Sequence, residues 1–284
     1  MAMYKEFFGM KHTPFVRGIP VNALYSDAET DEVNARLLSA AKNQSFALLV
    51  GDSGMGKTTA IRRMRNGLSE SEYTTLYLAD SNLTPRALYS ELLEQLGCPT
   101  KFQRIAARKA LHREAEIMRG VGQHKLVVIV DESHLLDRKM LEEIRFLLNT
   151  DMDSRNPMAL ILCGQTELWD KLHTQAYRAI WERVEIHAIL QPYDLSQTKA
   201  YIQTQLEYSG FQGSIFSEDS QKLIFEYTSG VPRLINNVCR NSLIYAYQNR
   251  RTIIDDKMVQ QVIDGETYHW ALPMRRIVQR WGAT

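Results

Sequence analysis

Residues 46–60 read FALLVGDSGMGKTTA, and no other stretch restricts so tightly what this chain can fold into. An apolar run, Phe46 to Val50, breaks into Gly51-Asp52-Ser53-Gly54-Met55-Gly56-Lys57-Thr58, which satisfies G-x-x-x-x-G-K-[ST] at every fixed position. The pattern predicts a buried strand, a glycine loop and the N-terminus of a helix. Gly51, Gly54 and Gly56 let the loop turn its N–H groups inward with no Cβ in the way, and the helix adds its own unpaired N–H groups and dipole. The product is a polyphosphate pocket built from Gly51, Ser53, Gly54, Met55, Gly56, Lys57, Thr58 and Thr59. Lys57 is placed to reach the β- and γ-phosphates, and the Thr58 hydroxyl to ligate the magnesium ion that bridges them. The plainer alternative is a glycine turn with a structural purpose only. A full match is rare at ordinary residue usage, and the flanking strand and helix weigh further against that alternative.

A second stretch completes the chemistry. Residues 126–132, LVVIVDE, are continuously apolar and end in two acids. Such a run suits a central parallel strand covered on both faces, and its carboxyl end is where ligands bind in these sheets. Asp131 is expected to hold magnesium through water, and Glu132 to polarise the attacking water. A third buried strand, Met158 to Cys163, is followed by Gly164-Gln165-Thr166, so Gln165 is expected beside the acids, able to sense the γ-phosphate or orient water.

The chain has 284 residues, 44% hydrophobic, enough for one α/β domain and a smaller module. Its formal net charge of +1 gives no global basic signature, so any nucleic-acid contact must come from a local patch. Cys98, Cys163 and Cys239 are odd in number, far apart and without nearby histidine clusters, which argues against a disulfide framework or a zinc site and suits a reducing cytoplasm. The N-terminal MAMYKEFFGMKHTPF carries charge through its apolar residues and cannot form a signal segment, and no run approaches a membrane span. The expectation is a soluble cytoplasmic protein without a membrane partner.

Four regions follow. Residues 1–26, rich in aromatics and turn formers, read as a strap over a domain or as one wall of an adenine pocket. Residues 27–194 read as the nucleotide-binding α/β domain. It opens with a helix capped by Asp27 or Thr30 and buries Val33, Leu37, Leu38 and Ala41. Residues 195–267 read as a helical lid, and 268–284 as a tail whose tryptophans and arginines suit a disordered end, a docking peptide or an auxiliary DNA contact.

Within the α/β domain, helices are expected over Lys57 to Leu68, Ser81 to Leu96, 101–120, Asp137 to Leu148 and Thr166 to Trp181, with further strands at Thr74 to Ala79 and Val184 to Leu190. Arg183, at the outer edge, can reach a neighbouring subunit's nucleotide, with Arg178 as runner-up and a surface ion pair as the bland alternative. In the lid, Ser229-Gly230-Val231-Pro232-Arg233 reads as a helix C-cap and a Pro-started helix that carries Arg233 in its first turn, placed to fold onto the γ-phosphate. The segment KFQRIAARKALHREAEIMRG is charge-rich, which often means only a solvated face. Lys101, Arg104 and Arg108 are nonetheless spaced to share a face, and with Lys109 they are the best candidates for contacts to a DNA backbone.

Taken together, GDSGMGKT, VVIVDE, Gln165 in LILCGQTEL, Arg183 before a strand, and GVPR in a helical lid resemble the AAA+ ATPases. The opening MYKEFFGMKHTPF and the CGQTEL segment resemble more narrowly the ExeA-type ATPases, a group related to the transposition regulators TniB, TnsC and MuB. The resemblance runs over about residues 3–265. It implies an AAA+ α/β parallel sheet flanked by helices, with ATP and Mg2+ bound at a Walker A motif (Lys57, Thr58) and a Walker B motif (Asp131, Glu132). It also implies a sensor at Gln165, an arginine finger at Arg183, a second sensor at Arg233 and assembly into homo-oligomeric rings or filaments.

Secretion members of the ExeA kind continue into a membrane span and a cell-wall-binding region, and this chain stops at Thr284 with neither. The expectation is therefore the transposition branch, in which ATP-bound subunits polymerise on duplex DNA and recruit a transposase or a target-selection protein. A secretion-related or protein-remodelling ATPase is the competing class, and a helicase-loader-like ATPase a third.

Overall fold

The computed structural model describes residues 3–79, 83–121, 123–148 and 156–265. These fall into two compact units, Ala28–Gln191 and a helical unit that runs from Pro192 and also takes in the segment up to Asp27.

The first unit is built on a parallel sheet. Strands β1 (Phe46–Val50), β2 (Tyr73–Leu78), β3 (Lys125–Val130), β4 (Ala159–Gly164) and β5 (Ile186–Ile189) lie in the order β2-β3-β4-β1-β5. Consecutive residues of each strand enter opposite cores: Phe46, Leu48, Val128, Val130, Leu160 and Leu162 face one, and Ala47, Leu49, Val127, Ile129, Ile161 and Cys163 the other. With both faces covered, a strand must be apolar at every position, which is why these segments read as unbroken hydrophobic runs. Helices α2 (Ala28–Asn43) and α3 (Lys57–Asn66) cover one face through Val33, Leu37, Ala41, Ile61 and Met64. Helices α4 (Pro85–Gln95), α5 (Arg104–Val121), α6 (Arg138–Phe146) and α7 (Thr166–Leu172) cover the other. Thr84 and Asp137 cap α4 and α6 by accepting from the N–H groups of Ala87 and Met140.

The helix expected over Thr166 to Trp181 is two pieces. α7 stops at Leu172, a short turn follows, and α8 (Arg178–Trp181) completes the segment. The Thr174 hydroxyl donates to the Lys171 carbonyl at 2.8 Å and His173 Nδ1 meets the Trp169 carbonyl at 2.8 Å, so side chains take over the end of the first helix. The bend lets the rings of Trp169, His173 and Trp181 gather with His187 of β5, the His173–Trp181 centroids lying 3.8 Å apart.

In the helical unit, α9 (Leu195–Tyr208) opens with a capping box between Asp194 and Gln197. It is followed by α10 (Glu218–Thr228), α11 (Pro232–Gln248) and a last helix, α12, over 256–265. The N-terminal aromatics belong to this core: Tyr4 of α1 (Met3–Phe7), Phe8 and Phe15 are buried with Leu206, Phe216 and Leu243. The Lys11 and His12 N–H groups donate to the Ser209 carbonyl, and that of Phe15 to Gln205 Oε1. The tail expected over 268–284 lies outside the described residues.

Gly230 shows why the α10–α11 turn needs glycine. Its φ is +75°, and a Cβ there would sit 1.8 Å from the Tyr193 carbonyl oxygen. Gly230→Ala should therefore cost about 3 kcal/mol or more, since backbone must move as well as strain be accepted. Thermal unfolding would check this, and a melting temperature within about 2 °C of the wild type would contradict it.

Candidate active site

Parallel topology gathers the functional residues before any side chain is considered. β4 lies between β1 and β3, with Val50 opposite Gly164 and Val130 opposite Leu162. The glycine loop after β1, Gln165 after β4 and Asp131 after β3 therefore leave the same edge of the sheet. β1 and β3 are two strand spacings apart, about 10 Å.

The loop itself has the backbone its sequence demands. Gly54 and Gly56 have φ of +90° and +96°, and Gly56 is the residue from which α3 starts. Lys57 is the first residue of α3 and is buried, its ammonium donating to the carbonyls of Gly51 at 2.6 Å and Asp52 at 3.1 Å. Its nitrogen is thus folded over the loop, where a phosphate would meet it. Met55 is buried and its N–H donates to the Asp52 carbonyl at 3.3 Å, while Ser53 and Thr58 are exposed and Thr59 half-buried. Two bonds tie the loop to the end of β4 and the start of α7: the Gly51 N–H donates to the Gly164 carbonyl at 3.2 Å, and the Thr166 hydroxyl donates to the Asp52 carboxylate.

The strand expected over 126–132 ends at Val130, so both acids stand just beyond it. Asp131 is buried, and its carboxylate accepts from the Tyr77 hydroxyl and, at 2.8 Å, from the Glu132 N–H. Burial first, then the bond to Asp131, push the Tyr77 phenol well up, so Tyr77 keeps its proton and stays a donor. Burial, with Asp131 next in weight, also raises the Cys163 thiol well above its ordinary range and keeps it neutral beneath the site. Glu132 differs from Asp131. Its φ is +49°, a left-handed conformation uncommon outside glycine, and its side chain is 45% exposed. Strain of this kind concentrates at functional positions.

Residues 40–172 match the model of the AAA domain family, AAA_22. The matched stretch takes in the glycine loop, both acids and Gln165. The chain is also 29% identical over 249 residues to General secretion pathway protein A of Aeromonas hydrophila, an alignment that takes in 86% of this chain and 45% of that protein. It thus spans less than half the length of that relative. Among solved structures it is similar to Cdc6p from Pyrobaculum aerophilum (TM-score 0.62, 18% identity, 84% of this chain and 67% of that one). It is similar too to a Drosophila ORC bound to DNA (0.63, 20%, 92% and 64%) and to the Thermotoga maritima RuvB Holliday junction branch migration motor (0.55, 16%, 84% and 69%). At these identities the likeness is one of fold, the AAA+ P-loop α/β fold.

Within the sheet unit, Arg183 follows α8 and precedes β5, the strand at the sheet's edge, and is half-buried. Its runner-up Arg178 is exposed and donates to Glu182 at 2.7 Å, the ordinary surface pair of the bland alternative. Arg233 is exposed in the first turn of α11, in the helical unit rather than the sheet unit.

The basic face expected on α5 is corrected by the structure. Lys101 precedes the helix, which begins at Arg104, so it does not share a helical face with Arg104 and Arg108. Those two turn toward Glu143 of α6, at 3.1 Å and 3.8 Å, and Arg108 also lies over the Phe146 ring. The Glu143 carboxylate is buried and accepts from the Tyr89 hydroxyl at 2.6 Å, so drawing both arginines away would leave a buried polar group short of partners. Lys109 remains exposed as expected, joined by Lys101 and Arg113 around a cleft of about 280 Å³ at the end of α4.

One neighbour of the acids belongs to none of the motifs. His134 lies between Glu132 and Gln165, its Nδ1 3.5 Å from Glu132 Oε2 and its Nε2 3.0 Å from Gln165 Nε2. A histidine two residues past the acids was the available signal. Only the alignment of β3 with β4 puts Gln165 against it.

Proposed function

We propose that this chain is a magnesium-dependent ATPase whose ATP-bound form assembles on duplex DNA and recruits or activates a transposase, with hydrolysis releasing the assembly. The observation that carries the ATPase reading is the convergence of Lys57, Asp131, Glu132 and Gln165 on one edge of the sheet. In this reading the Lys57 ammonium exchanges the Gly51 and Asp52 carbonyls for phosphate oxygens. The Thr58 hydroxyl and the Asp131 carboxylate are hard oxygen donors that fit magnesium, which commonly takes one or two carboxylates and substrate phosphates. When bound, the ion neutralises charge developing on the phosphates. Glu132 takes the proton of the water that attacks the γ-phosphorus as the bond to the β-bridging oxygen breaks, leaving ADP and phosphate. Gln165 donates to a γ-phosphate oxygen, Arg183 reaches the site of a neighbouring copy, and Arg233 acts as a second sensor.

The DNA and transposition reading is supported by the exposed Lys101, Lys109 and Arg113, by the fold shared with an ORC bound to DNA, and by the resemblance to TniB, TnsC and MuB. It is tested by duplex-DNA binding with ATP, ADP and no nucleotide at two salt concentrations, followed by electron microscopy. ATP-dependent, salt-sensitive rings or filaments are expected. Reversing Lys101, Lys109 and Arg113 to glutamate should weaken binding about tenfold or more and flatten its salt dependence, because contacts to phosphate release counterions. ATP affinity should stay unchanged.

A second reading is favoured by a specific observation, the alignment with General secretion pathway protein A over 86% of this chain. As a secretion-related or protein-remodelling ATPase the protein would turn over ATP without binding DNA in any nucleotide state. Among the described residues no helix is long and apolar enough to cross a membrane.

A further inference from the structure

We infer that His134 is a positioning residue that couples Gln165 to Glu132, so that contact with the terminal phosphate sets the orientation of the carboxylate that receives the proton. The inference rests on the ATPase reading above and adds to it a residue outside the glycine loop, the paired acids and the sensor glutamine.

The turn that carries His134 is fixed on both sides. Ser133 is fully buried and its hydroxyl donates to the Val130 carbonyl at 2.7 Å. Lys171, on α7, donates to the carbonyls of His134 at 2.5 Å and Leu136 at 3.1 Å. The ring is therefore held between two loops, with its side chain 10% exposed.

Its hydrogen bonding defines the tautomer. The atom of Gln165 that faces His134 Nε2 is the amide nitrogen, which only donates, so Nε2 is the acceptor and a neutral ring keeps its hydrogen on Nδ1. Nδ1 is buried, makes no hydrogen bond to the described residues, and lies 3.5 Å from Glu132 Oε2. A small rotation of the half-exposed Glu132 side chain closes that gap. One carboxylate oxygen would then be held by the ring while the other stays open to water. The second amide hydrogen of Gln165 remains for a phosphate oxygen. While the terminal phosphate is bound, that second hydrogen anchors Gln165 and, through it, the ring; once the phosphate has left, the anchor is lost and Glu132 is no longer steadied from that end. The ring thereby ties the base to the presence of the phosphate that its water attacks.

The test uses the full chain with MgATP, comparing wild type, His134→Ala, His134→Asn, Gln165→Ala and the double variant His134→Ala/Gln165→Ala. His134→Ala should lower kcat by about 10- to 100-fold, within the range of a mispositioned proton acceptor, and leave nucleotide affinity and KM within about threefold. Asparagine places an amide N–H near the Nδ1 position and should restore part of kcat. The double variant should be no more than about threefold slower than the slower single one, since both remove the same link. Histidine side-chain 15N spectra recorded without nucleotide should show the Nδ1–H tautomer in wild type and lose that preference in Gln165→Ala. Wild-type kcat in His134→Ala, a loss of affinity parallel to the loss of kcat, or additive effects in the double variant would overturn the coupling. If wild type itself fails to hydrolyse ATP, the ATPase reading falls and this inference with it, an outcome distinct from the other three.

Discussion

Lys57→Ala is expected to lower ATP hydrolysis by about 10³-fold or more and to weaken MgATP binding by about 10- to 100-fold. The lysine is the first residue of α3, buried, with its ammonium on the carbonyls of Gly51 and Asp52. A single charge-assisted bond to a phosphate contributes about 1.5–3 kcal/mol to binding, which sets the affinity range. The larger loss in rate follows because charge moves onto the phosphate oxygens as the bond breaks, and a fixed donor aimed there is commonly worth 10²–10³ in rate. Folding should survive. Alanine is the best helix former, and removing a buried ammonium also removes its desolvation cost. Titration with a fluorescent nucleotide, phosphate release and a melting curve check the three statements separately. A variant that binds and hydrolyses within threefold of the wild type would remove the glycine loop from the proposed chemistry.

How much of this was legible in the sequence depends on whether the cause was local. The glycine loop was legible because its backbone must go left-handed at Gly54 and Gly56, and few residue types permit that. The strands were legible because burial on two faces forces continuous apolar runs. Thr84 and Asp137 announce helix starts through side chains that reach only their own first turn. The failures have distant causes. Apolar spacing continues through residues 166–181 with no glycine or proline to mark the break at His173, which follows from rings on β5 and α8. Arg104 and Arg108 carry the spacing of a phosphate-tracking face, but their partner is Glu143, which lies on another helix 39 positions beyond Arg104. Charges pair across a fold without leaving a periodic trace along the chain. His134 is similar. Its meaning comes from Gln165, 31 residues on, and from a strand register that no pattern within either segment reports.

Glu132→Gln should separate binding from turnover. Hydrolysis is expected to fall by about 10²–10⁴-fold, the usual contribution of a positioned proton acceptor, while MgATP affinity stays within about threefold. The amide keeps the volume and one oxygen of the carboxylate but cannot take the proton from water. The side chain is half-exposed, and the buried carboxylate of Asp131 accepts from the Glu132 backbone N–H, a contact that the substitution leaves intact. The left-handed φ at this position is equally unfavourable for either residue, so stability should hardly change. If ATP holds the assembled state and hydrolysis releases it, the variant should remain on DNA in the presence of ATP after wild-type protein has dissociated. The release of labelled duplex after an ATP chase measures this directly. Equal release rates for the two proteins, with hydrolysis abolished only in the variant, would uncouple turnover from disassembly and leave an ATPase whose cycle drives something other than leaving DNA. Lys57→Ala supplies the opposite limit, because a chain that binds the triphosphate about 10- to 100-fold more weakly should stay unassembled at ATP concentrations that just load the wild type. Trapping in one variant and failure to assemble in the other is the pattern that a nucleotide-controlled switch requires. A protein that binds DNA equally in both variants has no such switch.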